Sequence, residues 1–313
     1  MDDSACYQLH LAPYQHRFRT PLRTARGGWY TRQGLLVKLT ARSGASGWGE
    51  IAPLPAFGSE TLAQAQHFCA QLGRTVSAAQ IVAIPDTLPA CQFGFESAEA
   101  DLHGAIASPD PPQSSIAKLL PAGAAALTAW EPAWQQGHRS FKWKVGVLPW
   151  VDEWALLREL TAALPPAARL RLDANASLEL TAAEQWLQKT AELTAVEFLE
   201  QPLPPTELAA LLTLSQRYPT PLALDESVAT LTQLADCYQR GWRGIVVIKP
   251  AIAGSPRRLR QFCRQHSLDA VFSSVFETKV GRRAAIALAA ELANPQRALG
   301  FGVETCDVPP GSC

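Results

Sequence analysis

The chain has 313 residues, with 28 Lys and Arg against 28 Asp and Glu, and a formal net charge of zero at pH 7. Nucleic acid and acidic membrane surfaces recruit cationic proteins, so neither is expected as a main partner. At 47% hydrophobic and 18% charged residues, the composition is that of an ordinary globule, long enough to bury a full core in one large domain or two. The 7 cysteines (6, 69, 91, 237, 263, 306, 313) form no CxxC and no regular ladder. That scatter argues for reduced thiols rather than a disulfide framework or a zinc site. The first residues show neither a basic nor an apolar signal stretch, and no uncharged apolar run is long enough to span a bilayer. The expected location is cytoplasmic, or stromal after processing.

In chain order, 35–40 reads as a strand, 43–47 as a turn and 48–51 as a second strand, which together are hairpin chemistry. Residues 61–72 have helical periodicity, with Thr61 as the cap. A linker follows at 108–114, where consecutive prolines stop both helix and ladder. Beyond it the pattern turns regular. Strand candidates lie at 115–120, 140–146, 169–173, 196–200, 221–225, 244–249, 269–274 and 298–303, separated by helical stretches such as 151–164, 182–193 and 207–217. Eight strands alternating with seven helices predict a parallel (β/α) barrel, and the apolar, β-branched strands suit burial on both faces.

Six segments carry polar residues where these strands run out: Lys142 and Lys144, Asp173 and Asn175, Glu200, Asp225, Lys249, and Ser273 with Ser274. In a parallel barrel the C-terminal strand ends share one mouth, so residues distant in sequence should converge there. Side-chain alternation puts Lys142 and Lys144 on one face, puts Arg171, Asp173 and Asn175 on one face, and opposes Asp225 to Glu226, so that only one of the last two can be a ligand. Three hard oxygen donors suit Mg²⁺, with Mn²⁺ as an alternative, and leave positions for a small-molecule carboxylate whose α-proton is thereby acidified. A lysine base must be partly neutral near pH 7, and the Lys142 cation two residues away disfavours charge on Lys144. Lys249, across the mouth, is then a second acid/base or a fixed cation. Each residue also has a plainer reading: Glu200 and Asp225 as helix caps, the lysine pair as a solvated edge, the serines as a turn. Their coincidence on successive strand ends favours a site. No histidine sits at a strand end.

This set resembles the enolase superfamily and its muconate-lactonising subgroup, in which a KxK motif on the second barrel strand, Asp, Glu and Asp on the next three, and Lys on the sixth form the site. The resemblance implies Lys144 and Lys249 as the catalytic pair, Lys142 as support for the base, and Asp173, Glu200 and Asp225, in preference to Glu226, as metal ligands. It implies a (β/α)7β modified TIM barrel over 107–303. It also implies an α+β capping domain over 1–106, completed by the tail at about 304–313. The segment Gly49-Glu50-Ile51-Ala52-Pro53-Leu54-Pro55-Ala56-Phe57-Gly58-Ser59-Glu60-Thr61 resembles the GEIAPLPGFSxET segment of o-succinylbenzoate synthases, a capping loop that closes over substrate. Ala56 and Gly58 depart from the Gly and Ser of that pattern, and 302–307 is only loosely similar. Arg171, Asn175 and the Ser273-Ser274-x-x-Glu277 run also look like that family. With Pro55 and Phe57, Arg171, Asn175, Ser273 and Ser274 are the expected substrate contacts. The implied reaction is dehydration of 2-succinyl-6-hydroxy-2,4-cyclohexadiene-1-carboxylate to 2-succinylbenzoate, on the way to menaquinone or phylloquinone. Rival expectations are an N-acylamino acid racemase, dipeptide epimerase or cycloisomerase of the same superfamily, and a non-catalytic barrel that binds without metal.

Overall fold

Four antiparallel strands come first in the computed structural model, which describes residues 6–24, 27–106 and 110–303, with backbone only for 19–24 and 27–29. β1 (Cys6–Thr24) pairs with β2 (Gly27–Thr40), β2 with β3 (Ser46–Ile51), and β4 (Thr75–Ser77) with the other edge of β1. The β2–β3 pair is the predicted hairpin. A Cβ at Gly34 would lie 2.5 Å from the Ile51 carbonyl oxygen and 2.6 Å from the Tyr14 hydroxyl, so glycine is what lets the three strands approach. The helix Pro89–Leu102, which the sequence patterns did not single out, packs on this sheet with every residue from Pro89 to Glu99 buried. Thr61 caps the helix Leu62–Leu72 in a capping box with Gln64, as its sequence predicts.

The remaining strands are β5 (Ile116–Leu119), β6 (Ser140–Lys144), β7 (Arg169–Asp173), β8 (Val196–Glu200), β9 (Leu222–Leu224), β10 (Ile245–Ile248), β11 (Ala270–Phe272) and β12 (Leu299–Gly302). They pair in parallel in the order β11-β10-β9-β8-β7-β6-β5-β12. A parallel bridge between Ser273 and Gly300 links the two outer strands, so the sheet comes round on itself. Each crossover carries helix, at Ala126–Gln135, Trp150–Ala163, Leu180–Thr190, Leu208–Arg217, Leu231–Gln239, Pro250–Ala253 with Pro256–Gln265, and Lys279–Leu292. The architecture is therefore the expected (β/α)7β barrel beside an antiparallel α+β unit. Phe198, Ala223, Ile245, Val247 and Val271 form a small cluster of their own, while their alternating neighbours Leu199, Leu222, Leu224, Val246 and Ile248 join the large core shared with the helices. That alternation identifies the inward face. Strands β9, β10 and β11 end earlier than expected, because Asp225, Lys249 and Ser273 sit just past the regular ladder.

Carboxylates from the N-terminal unit cap two barrel helices. Glu50, fully buried at the end of β3, accepts from the Thr278 amide at 3.0 and 2.9 Å, the Gly281 amide at 2.9 Å, the Thr278 hydroxyl and, at 2.5 Å, the Tyr14 hydroxyl. Glu96 accepts from the Ser255 hydroxyl at 2.5 Å and the Arg257 amide at 3.0 Å, at the start of Pro256–Gln265. A carboxylate at a helix N-terminus satisfies orphan amides and meets the positive end of the dipole, so both contacts seat the two units against each other. Of the predicted linker, 108 and 109 lie outside the described residues, as does the tail from 304, and Gln113–Ser115 forms a 3-10 turn leading into β5.

Candidate active site

Strand register sets the neighbours. Lys144 stands beside Asp173, Asp173 beside Glu200, and Glu200 beside Ala223, with Lys142 beside Arg171 one layer down. Asp225 lies two residues beyond Ala223 and returns to the same face. Asp173, Glu200 and Asp225 are 1%, 2% and 3% exposed, and all three line one cavity with Lys142, Lys144 and Lys249.

Burying three carboxylates is costly unless cations attend them. Lys142 Nζ is 2.7 Å from Asp173 Oδ2 and 2.7 Å from Glu200 Oε1. Lys144 Nζ is 2.7 Å from the same Asp173 oxygen and donates to Asn175 Oδ1, while Lys249 pairs with Asp225. Burial works against charge on Lys142, but Asp173 and Glu200 more than offset it and hold the ammonium above the usual lysine range. Burial would raise Asp173, yet Lys142 and Lys144 hold it well below the usual carboxylate range. Lys249 is pulled down to about 7, mainly by burial and further by the cations Lys142 and Lys144, against Glu200 and Asp173.

Asp225 and Glu226 diverge, as alternation requires. Asp225 lines the cavity, and although it occupies the N-cap position of the turn Glu226–Val228, its side chain makes no capping bond. Glu226 lies behind it, accepting from Asn175 Nδ2 at 3.3 Å, and is pushed up to about 7 by burial and by the negative charge of Asp173 and Glu200. The Asn175 amide is thus oriented, oxygen to Lys144 and nitrogen to Glu226. Gln201, which sequence reasoning missed, organises the same corner. Fully buried, it accepts from the Asp225 amide at 2.9 Å and the Ser227 amide at 3.1 Å, and donates to the Ser227 hydroxyl at 2.7 Å. Among the described residues, positive φ at non-glycine positions occurs at Asn175, Ala176, Gln201 and Phe276, all just beyond barrel strands at the mouth. Such backbone persists only where its surroundings enforce it.

The expected substrate contacts divide. Phe57 lies over Lys249, with Nζ 4.6 Å from the ring centre. Ser273 and Ser274 line the cavity, with hydroxyls donated to the Gly300 carbonyl at 3.1 Å and Glu277 Oε2 at 3.0 Å. Arg171 reaches the cavity from its floor, its guanidinium bound to Glu197 at 2.7 and 3.3 Å and stacked on Phe198. Pro55 is a correction. It is exposed and does not line the cavity, where Leu54 stands in its stead. The 3-10 turn Pro55–Phe57 ends at Gly58 with φ 93°, a conformation that suits glycine better than the serine of the family pattern.

The donor set suits a hard divalent cation: three buried carboxylates on adjacent strand ends, with an ammonium already lying between two of them. Among the described residues no three His, Cys, Asp or Glu side chains are drawn together as a closed cage, and lysine ammoniums stand among the carboxylates. The residues fit such an ion by chemistry and location.

Comparison with known proteins agrees with this fold. The family model described as "Enolase C-terminal domain-like" matches residues 125–304, and "MenC, N-terminal domain" matches 13–102. The o-succinylbenzoate synthase of Thermosynechococcus vestitus (strain NIES-2133 / IAM M-273 / BP-1) is 42% identical over 93% of this chain and 91% of its own. That of Edwardsiella ictaluri (strain 93-146) is 33% identical over 80% and 76%. The crystal structure of o-succinylbenzoate synthase from Thermosynechococcus elongatus BP-1, complexed with Mg in the active site, superposes with a TM-score of 0.88 at 40% identity, covering 95% of this chain and 93% of that one. A dipeptide epimerase from Enterococcus faecalis V583 gives 0.80 at 20% identity, covering 95% and 90%, which is a likeness of fold. The chain belongs to the o-succinylbenzoate synthase family, on the fold of the enolase superfamily.

Proposed function

We propose that this chain is a metal-dependent hydro-lyase that dehydrates 2-succinyl-6-hydroxy-2,4-cyclohexadiene-1-carboxylate to 2-succinylbenzoate. The supporting observation is one cavity in which Lys144 and Lys249 accompany Asp173, Glu200 and Asp225, in a chain 42% identical to an o-succinylbenzoate synthase. Asp173, Glu200 and Asp225 would hold Mg²⁺, with Mn²⁺ as a substitute. When bound, the ion supplies positive charge to the substrate carboxylate, which acidifies the neighbouring C–H and stabilises the charge that develops as the proton leaves.

Lys144 Nζ takes the α-proton. The electron pair moves into the ring carboxylate and then expels the hydroxyl from the adjacent carbon. That hydroxide leaves as water with the proton returned from Lys144, so one lysine serves both halves of a syn elimination. Lys142, held protonated between Asp173 and Glu200, keeps a fixed positive charge two residues from the base on the same face. Lys249 stabilises the enediolate from the other side, and an incoming carboxylate favours its charged form. Aromatisation drives the loss of water, so positioning and charge compensation suffice.

In this reading residues 1–106, with the tail from about 304, form the capping domain and 107–303 the barrel, and the enzyme works in the cytoplasm on a step toward menaquinone or phylloquinone. The test is an assay of the purified chain on the cyclohexadiene substrate with Mg²⁺, Mn²⁺ or EDTA, followed at the absorbance of 2-succinylbenzoate. Metal-dependent product is expected. No product in any of the three conditions rejects the reading.

A further inference from the structure

Arg32 lies in β2, is 5% exposed, and spends its guanidinium on backbone carbonyls from both walls of the site. Nη1 donates to the Pro53 carbonyl at 2.7 Å and Nη2 to the Ala52 carbonyl at 2.5 Å. Nε donates to the Val275 carbonyl at 3.1 Å, 243 residues away in sequence. Pairing between β2 and β3 stops at Leu35 and Ile51, so Arg32 takes up the carbonyls where the ladder gives out. Immediately after Ala52 and Pro53 come Leu54 and Phe57, which line the cavity, and Phe57 covers Lys249. On the other segment Val275 and its neighbours Ser274 and Phe276 also line it.

We propose that Arg32 is a positioning residue that ties the capping segment 52–57 to the segment 273–278 after β11 and so fixes the width of the substrate cavity. The planar fork reaches these three carbonyls on two chain segments at once, and the Gln33 carbonyl of its own strand at 3.1 Å besides, whereas a lysine ammonium in the same place is a single point without that spread. Holding both segments in this arrangement gives substrate contacts without ordering a loop at the moment of binding. The kinetic consequence rests on the proposed dehydratase reading, whereas the tether itself does not.

The test uses the full chain with Arg32→Lys, with Arg32→Ala as a second variant in the presence and absence of millimolar guanidinium. Amide hydrogen exchange is followed in 54–58 and 274–278. Glu96→Gln is the control, because it loosens a seam between the two units in which none of these carbonyls takes part. The expected result is faster exchange in both segments together in the Arg32 variants, partial reversal by guanidinium in Arg32→Ala, and neither change in Glu96→Gln. With the dehydratase assay, KM should rise about tenfold or more while kcat stays within about threefold, the pattern of lost uniform binding. Unchanged exchange in both segments overturns the tether whatever the activity. A KM rise as large in Glu96→Gln overturns the positioning role in favour of general loosening. If wild type forms no product, the dehydratase reading falls, and the exchange measurement still decides whether Arg32 joins the two walls.

Discussion

The Lys142 ammonium stands 2.7 Å from Glu200 Oε1, with Asp173 Oδ2 at the same distance from its nitrogen. That ammonium lies between two of the three buried carboxylates of the barrel mouth, and it competes for their oxygens with any divalent ion that enters.

Removing that competitor should separate binding from turnover. Lys142→Met leaves Asp173 and Glu200 with fewer cations, so the variant should bind Mg²⁺ more tightly, by about tenfold or more, since one charge pair at about 4 Å is worth about 1 kcal/mol even in bulk water and more in a buried site. Dehydration should nonetheless fall, because the fixed charge beside Lys144 is gone. Titration calorimetry with Mg²⁺ alone reads the first effect and steady-state assay the second. Weaker Mg²⁺ binding in Lys142→Met would contradict the competition.

The two outer lysines should respond differently to arginine. A guanidinium keeps the charge and gives up the base. Lys144→Arg should lose about 10³-fold or more in kcat, within the range of general acid–base catalysis. Lys249→Arg should retain clearly more activity than Lys249→Ala, as expected of a cation that stabilises charge. Equal losses in Lys249→Arg and Lys249→Ala would instead give Lys249 a proton-transfer role.

The join between the units should be measurable at one side chain. Glu50→Gln keeps the shape but loses the charge facing the amides of Thr278 and Gly281. It should lower unfolding stability by about 2 kcal/mol, the scale of a charged hydrogen bond in a buried place. A urea midpoint within error of wild type would show that those amides are satisfied without the charge.

How much of this was open to sequence reasoning follows from where each residue's partners lie. Asp173 and Glu200 were legible because strand alternation and the strand-end rule act over a few residues. The capping segment 49–61 pointed to a family, but not to which side chain of a 3-10 turn faces inward, hence Pro55 in place of Leu54. Arg32, Glu50 and Glu96 were illegible because their bonds span 243, 228 and 159 residues. Gln201 works through a positive φ that no pattern of residue types announces. The long strand β1 hid for another reason. Its inward side chains run Tyr7, Leu9, Leu11 and then shift phase to Ala12, Tyr14, Phe18, where Ala12 and Tyr14 join Leu36 in a cluster beside Val280. A change of phase within one strand defeats any period-2 search.

A last prediction concerns acid stability on the barrel floor. Arg297 donates to Asp269 at 2.5 and 2.6 Å and to Glu197 at 2.8 Å, and Glu197 also holds Arg171. Burial alone would raise Asp269, but Arg297 and Asn294 hold its carboxyl below the usual range. A carboxyl whose folded value is depressed binds its proton less readily folded than unfolded. Its contribution is therefore fully present above the unfolded value of about 3.9 and is lost as pH falls through the depressed folded value. Asp269→Asn removes the contribution at every pH. The variant should be less stable than wild type at pH 7 by about 2 kcal/mol, the scale of a charge-assisted hydrogen bond, and the gap should close progressively from about pH 4 downward. Thermal unfolding of both proteins across that range reads it directly. A gap that stays constant into acid would mean that the substitution costs packing rather than charge.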